Sequence, residues 1–221
     1  MEKAVIFDMD GTLFQTNLVL ESALDDAFDY LRNSGKWEGQ TPIELYREIM
    51  GVPLPEVWKA LMPDHSEEDR RLTDAFFLAR LLHHIKEGNG ALYPHAGETL
   101  RLLKEKGCRL FIASNGLIDY LQSIVRCYSL DEWVTETFSI EQIDSLDKAD
   151  LVKEIVNKYD LKDAVVVGDR LSDIRAAETN GLVSVGCRFD FAKEEELAEA
   201  DYIINDLQDL LPVVMQTVSV E

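Results

Sequence analysis

The sequence contains little cysteine. Only three of its 221 residues are cysteines, and they are scattered along the chain. A disulfide framework needs paired thiols in an oxidising compartment, and a cysteine-based metal site needs thiols at close spacing. We therefore expect Cys108, Cys127 and Cys187, which lie in or beside apolar runs, to be reduced residues of the protein core.

Positive charge is also scarce. Lys and Arg together number 22 against 42 Asp and Glu, so the formal net charge is −20 at pH 7. A surface this acidic repels nucleic acids and anionic membranes, and we expect neither as a partner. A small phosphorylated metabolite remains compatible, because a bound cation and a few local Lys or Arg side chains can reverse the field inside a pocket.

Long apolar stretches are missing as well. Only four apolar residues, from Ala4 to Phe7, precede Asp8, and no run approaches the roughly 20 residues of a transmembrane helix. We therefore expect a cytoplasmic protein with no export signal and no membrane contact. The 46% of apolar residues is enough for a proper core.

The periodicity of the chain changes twice. The segment of residues 16–90 has helical periodicity and no strand-like run, whereas strands and helices alternate from Leu92 onward. Such alternation predicts a parallel sheet with helices on both faces. We therefore predict an α/β core with a Rossmann-like, doubly wound parallel sheet, formed by residues 1–15 and 91–221, and an all-helical domain inserted at residues 16–90.

Three helices are expected in the insert. The first should bury one apolar face, made of Leu20, Leu24, Ala27, Phe28 and Leu31. For the second, Thr41 is predicted to be the N-cap, with Pro42 in the first turn and Glu44 completing a capping box. The third should begin after Ser66. Its predicted buried face consists of Leu72, Ala75, Phe76, Ala79, Leu82 and Ile85.

Polar side chains end three of the predicted strands. Asp8 and Asp10 follow the first strand, Ser114 ends a second, and Asp169 ends a third, with Asp173 four residues further on. If these strands are parallel and adjacent, their carboxyl ends converge at the sheet edge where α/β proteins bind ligands. The five side chains would then line one acidic pocket, for which Mg²⁺ is the expected hard cation.

Simpler explanations exist for some of these residues. An EF-hand calcium loop beginning at Asp8 is excluded, because its fifth and twelfth positions hold Thr12 and Val19. A mere turn would leave the second acidic strand end at Asp169 unexplained. Asp173 at a helix start could also serve only to complement the helix dipole.

Two roles are also possible for each of Ser114 and Lys148. A serine-hydrolase elbow needs glycine two residues before the serine, where this chain has Ile112. Ser114 is better explained as a hydrogen-bond donor in a phosphate cradle with the amides of Asn115 and Gly116 and the next helix start, although an ordinary N-cap is the alternative. A lysine at a helix start, like Lys148, is either a solvated surface residue or a cation facing the acidic pocket.

Four groups of residues, taken in chain order, resemble the four signature motifs of the haloacid dehalogenase superfamily. The resemblance spans nearly the whole chain, and the helical insert is similar to the cap of the phosphoglycolate phosphatase-like branch. The residues that carry it are Asp8-Met9-Asp10-Gly11-Thr12, Ser114-Asn115, Lys148 and Gly168-Asp169-x-x-x-Asp173.

The resemblance implies a Mg²⁺-dependent phosphatase that acts on a small phosphomonoester metabolite of the phosphoglycolate, sugar phosphate or nucleotide type. Asp8 would form an aspartyl phosphate, while Asp10 would protonate the leaving alcohol and then deprotonate the hydrolytic water. Mg²⁺ would be held by Asp8, the backbone carbonyl of Asp10 and Asp169, with Asp173 contacting it directly or through water. The residues expected to contact phosphate are Gly11, Thr12, Ser114, Asn115, Gly116 and Lys148. The helical cap would close over the substrate, and the protein would be a monomer or a homodimer.

Two other functions share most of this chemistry. A phosphomutase similar to β-phosphoglucomutase would use the same aspartyl phosphate but return the phosphate to a sugar hydroxyl. A receiver-type signalling domain also has an acidic Mg²⁺ pocket, a hydroxyl residue and a lysine, but its acid pair and phosphoacceptor lie on different strands.

The chain also departs from its relatives at three places. Lys148 is followed by Ala149-Asp150 where many relatives have Lys-Pro-x-Pro, and His95 stands where a glycine is common. The segment Arg188-Phe189-Asp190-Phe191 replaces a glycine-rich turn. We expect this segment to rim the pocket and to influence the choice of substrate.

Overall fold

A computed structural model of the protein describes residues 3–49 and 54–217. The chain divides into two compact units. One consists of Met1–Gln15 together with Ala91–Glu221, and the other of Thr16–Gly90. In the described part of the chain, no helix combines the length and the apolar character needed to cross a membrane.

The second unit is helical. Its helices are α1 (Asn17–Asn33), α2 (Ile43–Glu48), α3 (Leu54–Leu61) and α4 (Glu67–Lys86). All five residues of the predicted α1 face are buried, and α1 packs along α4. The helix α3 has no counterpart in the prediction.

The capping box predicted for α2 is wrong. The N-cap is Pro42, and no side chain caps the helix. The Thr41 hydroxyl instead accepts a hydrogen bond from the Arg32 guanidinium at 3.3 Å, and Glu44 pairs with Arg47 at 2.7 Å. Both capping side chains therefore have charged partners that compete with the helix amides.

The start of α4 agrees with the prediction, but of the six residues predicted to be buried only Ile85 is. The Ser66 hydroxyl accepts a hydrogen bond from the Asp69 amide at 3.1 Å. The buried residues of α4 are Thr73, Phe77, Leu81 and Ile85, whereas Leu72 is 46% exposed. Apolar residues occur on more than one side of this helix, and packing against α1 and α3 selects the side that includes Thr73.

The first unit contains a six-stranded sheet in which all neighbouring strands are parallel. The strands are β1 (Ala4–Phe7), β2 (Arg109–Ser114), β3 (Glu136–Ser139), β4 (Ala164–Gly168), β5 (Val183–Cys187) and β6 (Tyr202–Ile204). Their order is β3-β2-β1-β4-β5-β6. Phe7 at the end of β1 is in register with Ile112 of β2 and Val167 of β4. The three strand ends that carry the predicted site therefore lie at one edge of the sheet.

Helices pack against this sheet, as predicted for an α/β fold. They are α5 (Ala96–Glu105), α6 (Ile118–Cys127), α7 (Lys148–Tyr159), α8 (Leu171–Thr179), α9 (Glu194–Leu197) and α10 (Leu210–Thr217). Ile6 of β1 belongs to a core cluster with Leu151 of α7 and Ala177 of α8. Phe7, which points to the opposite face, is also fully buried, as is typical of a parallel strand covered on both sides. The α/β fold class is confirmed.

The cysteines are free, and two of the three lie as expected. Cys108 and Cys187 are buried, but Cys127 is exposed. The buried line of α6 includes Tyr120 and Ile124 and continues to Tyr128, whose ring contacts Phe14. Cys127 lies one position away from that line and therefore faces outward.

Candidate active site

Three buried carboxylates meet at the carboxyl edge of the sheet. Asp8 directly follows β1, Asp169 directly follows β4, and Asp173 lies in the first turn of α8. Oxygen atoms of the three side chains all lie within 4.8 Å of one another. Pairing of β1 with β4 continues to this point, since the Asp8 amide donates a hydrogen bond to the Val167 carbonyl at 2.8 Å.

Lys148 is in direct contact with two of these carboxylates. It is the first residue of α7 and is 5% exposed. Its Nζ lies 2.8 Å from Oδ1 of Asp8 and forms a second ion pair with Oδ1 of Asp173. The solvated surface position considered for this lysine is therefore wrong.

The charges in this cluster shift one another's proton affinities. Burial raises the pKa of Asp8 to about 7; Lys148 opposes this shift and Asp173 adds to it. Burial also raises the pKa of Asp169 well above its ordinary value, and the charge of Asp8 adds to the effect. For Lys148, burial would lower the pKa, but Asp173 and Asp8 outweigh it and raise the pKa. The lysine is thus held in its charged form, while burial favours the protonated forms of Asp8 and Asp169.

The donor set fits a hard divalent cation. Burial disfavours the ionised forms of Asp8 and Asp169, a divalent cation bound between the carboxylates would favour them, and carboxylate oxygens are the preferred ligands of such ions. Hydrogen bonds also orient two of the carboxylates. The Thr12 hydroxyl donates to Oδ1 of Asp169 at 3.2 Å, and the Arg170 amide donates to Oδ2 of Asp173 at 3.1 Å.

Two glycines allow the carboxylates to approach the backbone. Gly11 has a φ of +74°, and a β-carbon there would lie 2.5 Å from Oδ2 of Asp169. A β-carbon at Gly168 would lie 2.1 Å from Cγ of Asp173. Any side chain at either position would displace a carboxylate, which explains the glycine in the turn after β1 and at the end of β4.

The Asp10 side chain lies outside this group of ligand atoms. In the described part of the chain, the carboxylates gathered within 4.8 Å are those of Asp8, Asp169 and Asp173. Asp10 is partly exposed, and its Oδ1 accepts a hydrogen bond from the Tyr120 hydroxyl. Tyr120 was not among the candidates from the sequence, because a single tyrosine in an amphipathic helix carries no local signal.

The loop after β2 is organised by its own hydrogen bonds. Ser114 is buried, and its Oγ accepts a bond from the Gly116 amide at 3.0 Å, which leaves the Ser114 hydroxyl proton able to be donated. Asn115 is exposed. The hydroxyl of Ser139, at the end of β3, donates to the Gly116 carbonyl at 2.7 Å.

The start of α6 has a partner that the sequence did not suggest. The Ile118 amide, in the first turn of the helix, donates to Oε2 of Glu141 at 2.7 Å. This amide is one of the helix-start donors that the predicted phosphate cradle included. A pattern search could not have found Glu141, since it lies in a separate turn after β3.

The unusual segments of the sequence also have definite partners. The Tyr93 hydroxyl donates to Oδ2 of Asp190 at 3.0 Å, and its ring stacks on Phe189 with centroids 4.6 Å apart. Burial, followed by the charge of Asp190, raises the pKa of Tyr93. His95 has a φ of +62°, a left-handed conformation that explains why glycine is common there, and its Nδ1 lies 2.8 Å from Oδ1 of Asp206.

Known proteins are similar to this chain in sequence, and solved structures are similar to it in fold. The pyrophosphatase PpaX of Halalkalibacterium halodurans is 24% identical over 217 residues, covering 95% of each chain. The phosphoglycolate phosphatase of Mannheimia succiniciproducens is 25% identical and covers 96% of this chain and 98% of its own. The crystal structure of a predicted phosphoglycolate phosphatase from Haemophilus somnus superposes with a TM-score of 0.83 at 21% identity, over 96% of this chain and 97% of that one.

The family assignment comes from the sequence pattern of the haloacid dehalogenase-like hydrolases. That pattern matches residues 2–181, which is well over half of the chain. The matched range includes all the carboxylates of the cluster and Lys148. The protein is therefore an enzyme that belongs to the haloacid dehalogenase-like hydrolase family.

Proposed function

We propose that the protein is a Mg²⁺-dependent phosphatase that hydrolyses a small phosphomonoester through an aspartyl phosphate on Asp8. The observation that carries this proposal is the buried cluster of Asp8, Asp169 and Asp173 around Lys148. The names of the two relatives, a phosphoglycolate phosphatase and a pyrophosphatase, agree with phosphate chemistry.

Asp8 is the proposed nucleophile. One of its carboxylate oxygens forms a bond to phosphorus, the ester oxygen–phosphorus bond breaks, and the electron pair of that bond goes to the ester oxygen. Lys148 supports this role because its ammonium, 2.8 Å from Oδ1 of Asp8, favours the ionised carboxylate and stabilises negative charge on the transferring group.

Asp10 is the proposed general acid and base. It gives a proton to the departing alcohol oxygen and later accepts one from the water that hydrolyses the aspartyl phosphate. Its position two residues after Asp8, and outside the three-carboxylate cluster, supports a role in proton transfer instead of side-chain metal binding.

The carboxylates of Asp8, Asp169 and Asp173 and the backbone carbonyl of Asp10 are the proposed Mg²⁺ ligands. The bound ion would supply positive charge beside the phosphoryl oxygens. Thr12 supports the site by its hydrogen bond to Asp169.

The proposed phosphate contacts come from two loops and one helix. Ser114 donates its hydroxyl proton, and Lys148 contributes charge. The other proposed contacts are Gly11, Thr12, Asn115 and Gly116. We further propose that the helical unit of residues 16–90 is the cap that selects a small phosphorylated metabolite, and that the protein works in the cytoplasm.

A phosphate-release screen tests the proposal. The purified protein is incubated with Mg²⁺ and a panel of alkyl phosphates, sugar phosphates, nucleotides, pyrophosphate and p-nitrophenyl phosphate. We expect release from at least one compound, abolition of release by EDTA, and loss of release in Asp8→Asn. The matched control, Asp150→Asn, changes an exposed aspartate of α7 and should keep full activity. Absence of release across the panel, or an active Asp8→Asn, would contradict the proposal, and isomerisation of a sugar phosphate without net release would indicate a phosphomutase.

A further inference from the structure

Asp10, the proposed general acid, has a specific hydrogen-bond partner in helix α6. The Tyr120 hydroxyl donates a hydrogen bond to Oδ1 of Asp10. Tyr120 lies in the first turn of α6, which follows β2, and is 6% exposed. Asp10 follows β1, the strand next to β2 in the sheet. The contact thus joins the turn after β1 to the first turn of α6 at the carboxyl edge of the sheet.

We propose that Tyr120 is a positioning residue that holds the Asp10 carboxyl in the orientation needed for proton transfer to the leaving group. The inference rests on the proposed function and assigns to α6 a part in it. Tyr120 acts through Asp10 and is not proposed to touch the substrate.

The local packing leaves room for this contact. A β-carbon at Gly116 would lie 3.0 Å from Cδ1 of Tyr120 and 3.3 Å from Oγ of Ser114. Contacts that short require a neighbour to move, so the glycine keeps the space into which the Tyr120 ring fits. Gly116 therefore supports two neighbours of the site, the ring of Tyr120 and the hydroxyl of Ser114.

The hydrogen bond also distinguishes the two oxygens of Asp10. A phenol donates one hydrogen, and Oδ1 receives it. The proposed arrangement therefore assigns the transferred proton to Oδ2. In the transfer step, Asp8 forms its bond to phosphorus, the bond between phosphorus and the ester oxygen breaks, and that oxygen takes the proton from Oδ2 of Asp10. Without Tyr120, the carboxyl can rotate and the proton is less often directed at the ester oxygen.

Leaving-group dependence separates this role from a general structural one. An alkoxide leaves poorly without a proton, whereas p-nitrophenolate leaves as an anion. We compare kcat/KM, which reports phosphoryl transfer to Asp8, for p-nitrophenyl phosphate and for the alkyl phosphate that ranks first in the panel. In Tyr120→Phe we expect a fall of about 10- to 100-fold for the alkyl phosphate and of less than about threefold for p-nitrophenyl phosphate.

A matched control and a double-mutant cycle complete the test. Tyr128→Phe removes another hydroxyl close to α6 and should change neither value, since Tyr128 packs on Phe14 and no carboxylate among the described residues receives its proton. In single turnovers with excess enzyme, Tyr120→Phe should have no further effect in an Asp10→Asn background.

The outcomes distinguish this inference from the proposed function. If wild-type protein cleaves phosphomonoesters but Tyr120→Phe lowers both kcat/KM values equally, or neither, the positioning role is overturned while the phosphatase stands. The same holds if the effect of Tyr120→Phe persists in Asp10→Asn, as it would for a folding defect. If wild-type protein cleaves no phosphomonoester, the proposed function itself fails.

Discussion

The Nζ of Lys148 lies 2.8 Å from Oδ1 of Asp8, and only 4% and 9% of the two side chains are exposed. Removing one partner of such a buried ion pair strongly destabilises the folded protein, because the other charge then stays buried without compensation. Removing Lys148 should cost more stability than breaking an isolated pair, since Lys148 also contacts Asp173.

Lys148→Met should therefore affect both catalysis and folding. We expect kcat/KM to fall by at least about 100-fold, because a cation beside the transferring phosphoryl group is lost. Without metal at pH 8, we expect the free energy of unfolding to fall by about 3–5 kcal/mol, as measured by urea titration.

The control for this substitution is Lys158→Met. Lys158 also pairs with a carboxylate, Glu136, at 2.8 Å, but its side chain is 52% exposed. Exposed pairs contribute little, so neither activity nor stability should change measurably. Equal effects of the two substitutions would contradict the electrostatic role of Lys148.

Stability without metal should depend on pH in a definite direction. Burial raises the pKa of Asp8 from 3.8 to about 7, and it raises the pKa of Asp169 too. Between pH 3.8 and about pH 7, Asp8 keeps its proton in the folded protein but has released it in the unfolded chain. Asp8 therefore contributes stability at low pH that is lost as pH rises through about 7.

Mg²⁺ should reverse this loss, because carboxylates bind a metal in the deprotonated form. We expect Mg²⁺ to raise Tm, relative to EDTA, more at pH 8 than at pH 5. Thermal unfolding at both pH values, with and without Mg²⁺, measures the difference. A Tm increase that is equal at the two pH values, or greater at pH 5, would count against a metal held by these carboxylates.

Gly168→Ala should disturb the site through the position of one carboxylate. The new β-carbon would lie 2.1 Å from Cγ of Asp173, so this side chain must move away from Lys148. We expect a loss of about 1–3 kcal/mol in unfolding free energy and a large loss of activity. Gly97→Ala in α5 is the control, because its β-carbon meets the Trp133 ring at an ordinary 3.4 Å. Gly97→Ala should keep activity and stability. A Gly168→Ala variant as active as Gly97→Ala would contradict the packing argument.

Thr12→Val tests the support of a proposed metal ligand. The substitution keeps the volume of the side chain but removes the hydroxyl that donates to Asp169 at 3.2 Å. We expect Mg²⁺ affinity, measured by calorimetric titration, to fall about 10- to 100-fold. Thr73→Val removes a buried hydroxyl from α4, where it donates to the Asp69 carbonyl at 2.8 Å, and should leave Mg²⁺ affinity unchanged. If Thr12→Val and Thr73→Val bind Mg²⁺ with similar affinity, Thr12 does not support the proposed metal site.

The main features of the fold could be predicted because they depend on strong, local patterns. The valine-rich and β-branched runs specify buried parallel strands, and β1 covers the apolar run Ala4–Phe7 that precedes Asp8. The convergence of Asp8, Asp169 and Asp173 followed from one assumption, that their strands are neighbours, and the strand order satisfies it.

Other features could not be predicted because they depend on tertiary contacts. The contact of Tyr120 with Asp10 joins residues 110 positions apart and leaves no spacing signature. The Thr41 cap failed because Arg32 offers its hydroxyl a charged donor. On α4, apolar residues on several faces left the choice of the buried side to packing.

The most direct test of the account is to identify the phosphorylated residue. The protein is mixed with Mg²⁺ and its best substrate, quenched in acid during turnover, digested and analysed by mass spectrometry. The account predicts a hydroxylamine-sensitive phosphate on Asp8 that is absent from Asp8→Asn. A phosphate on another residue, or undiminished turnover by Asp8→Asn, would contradict it.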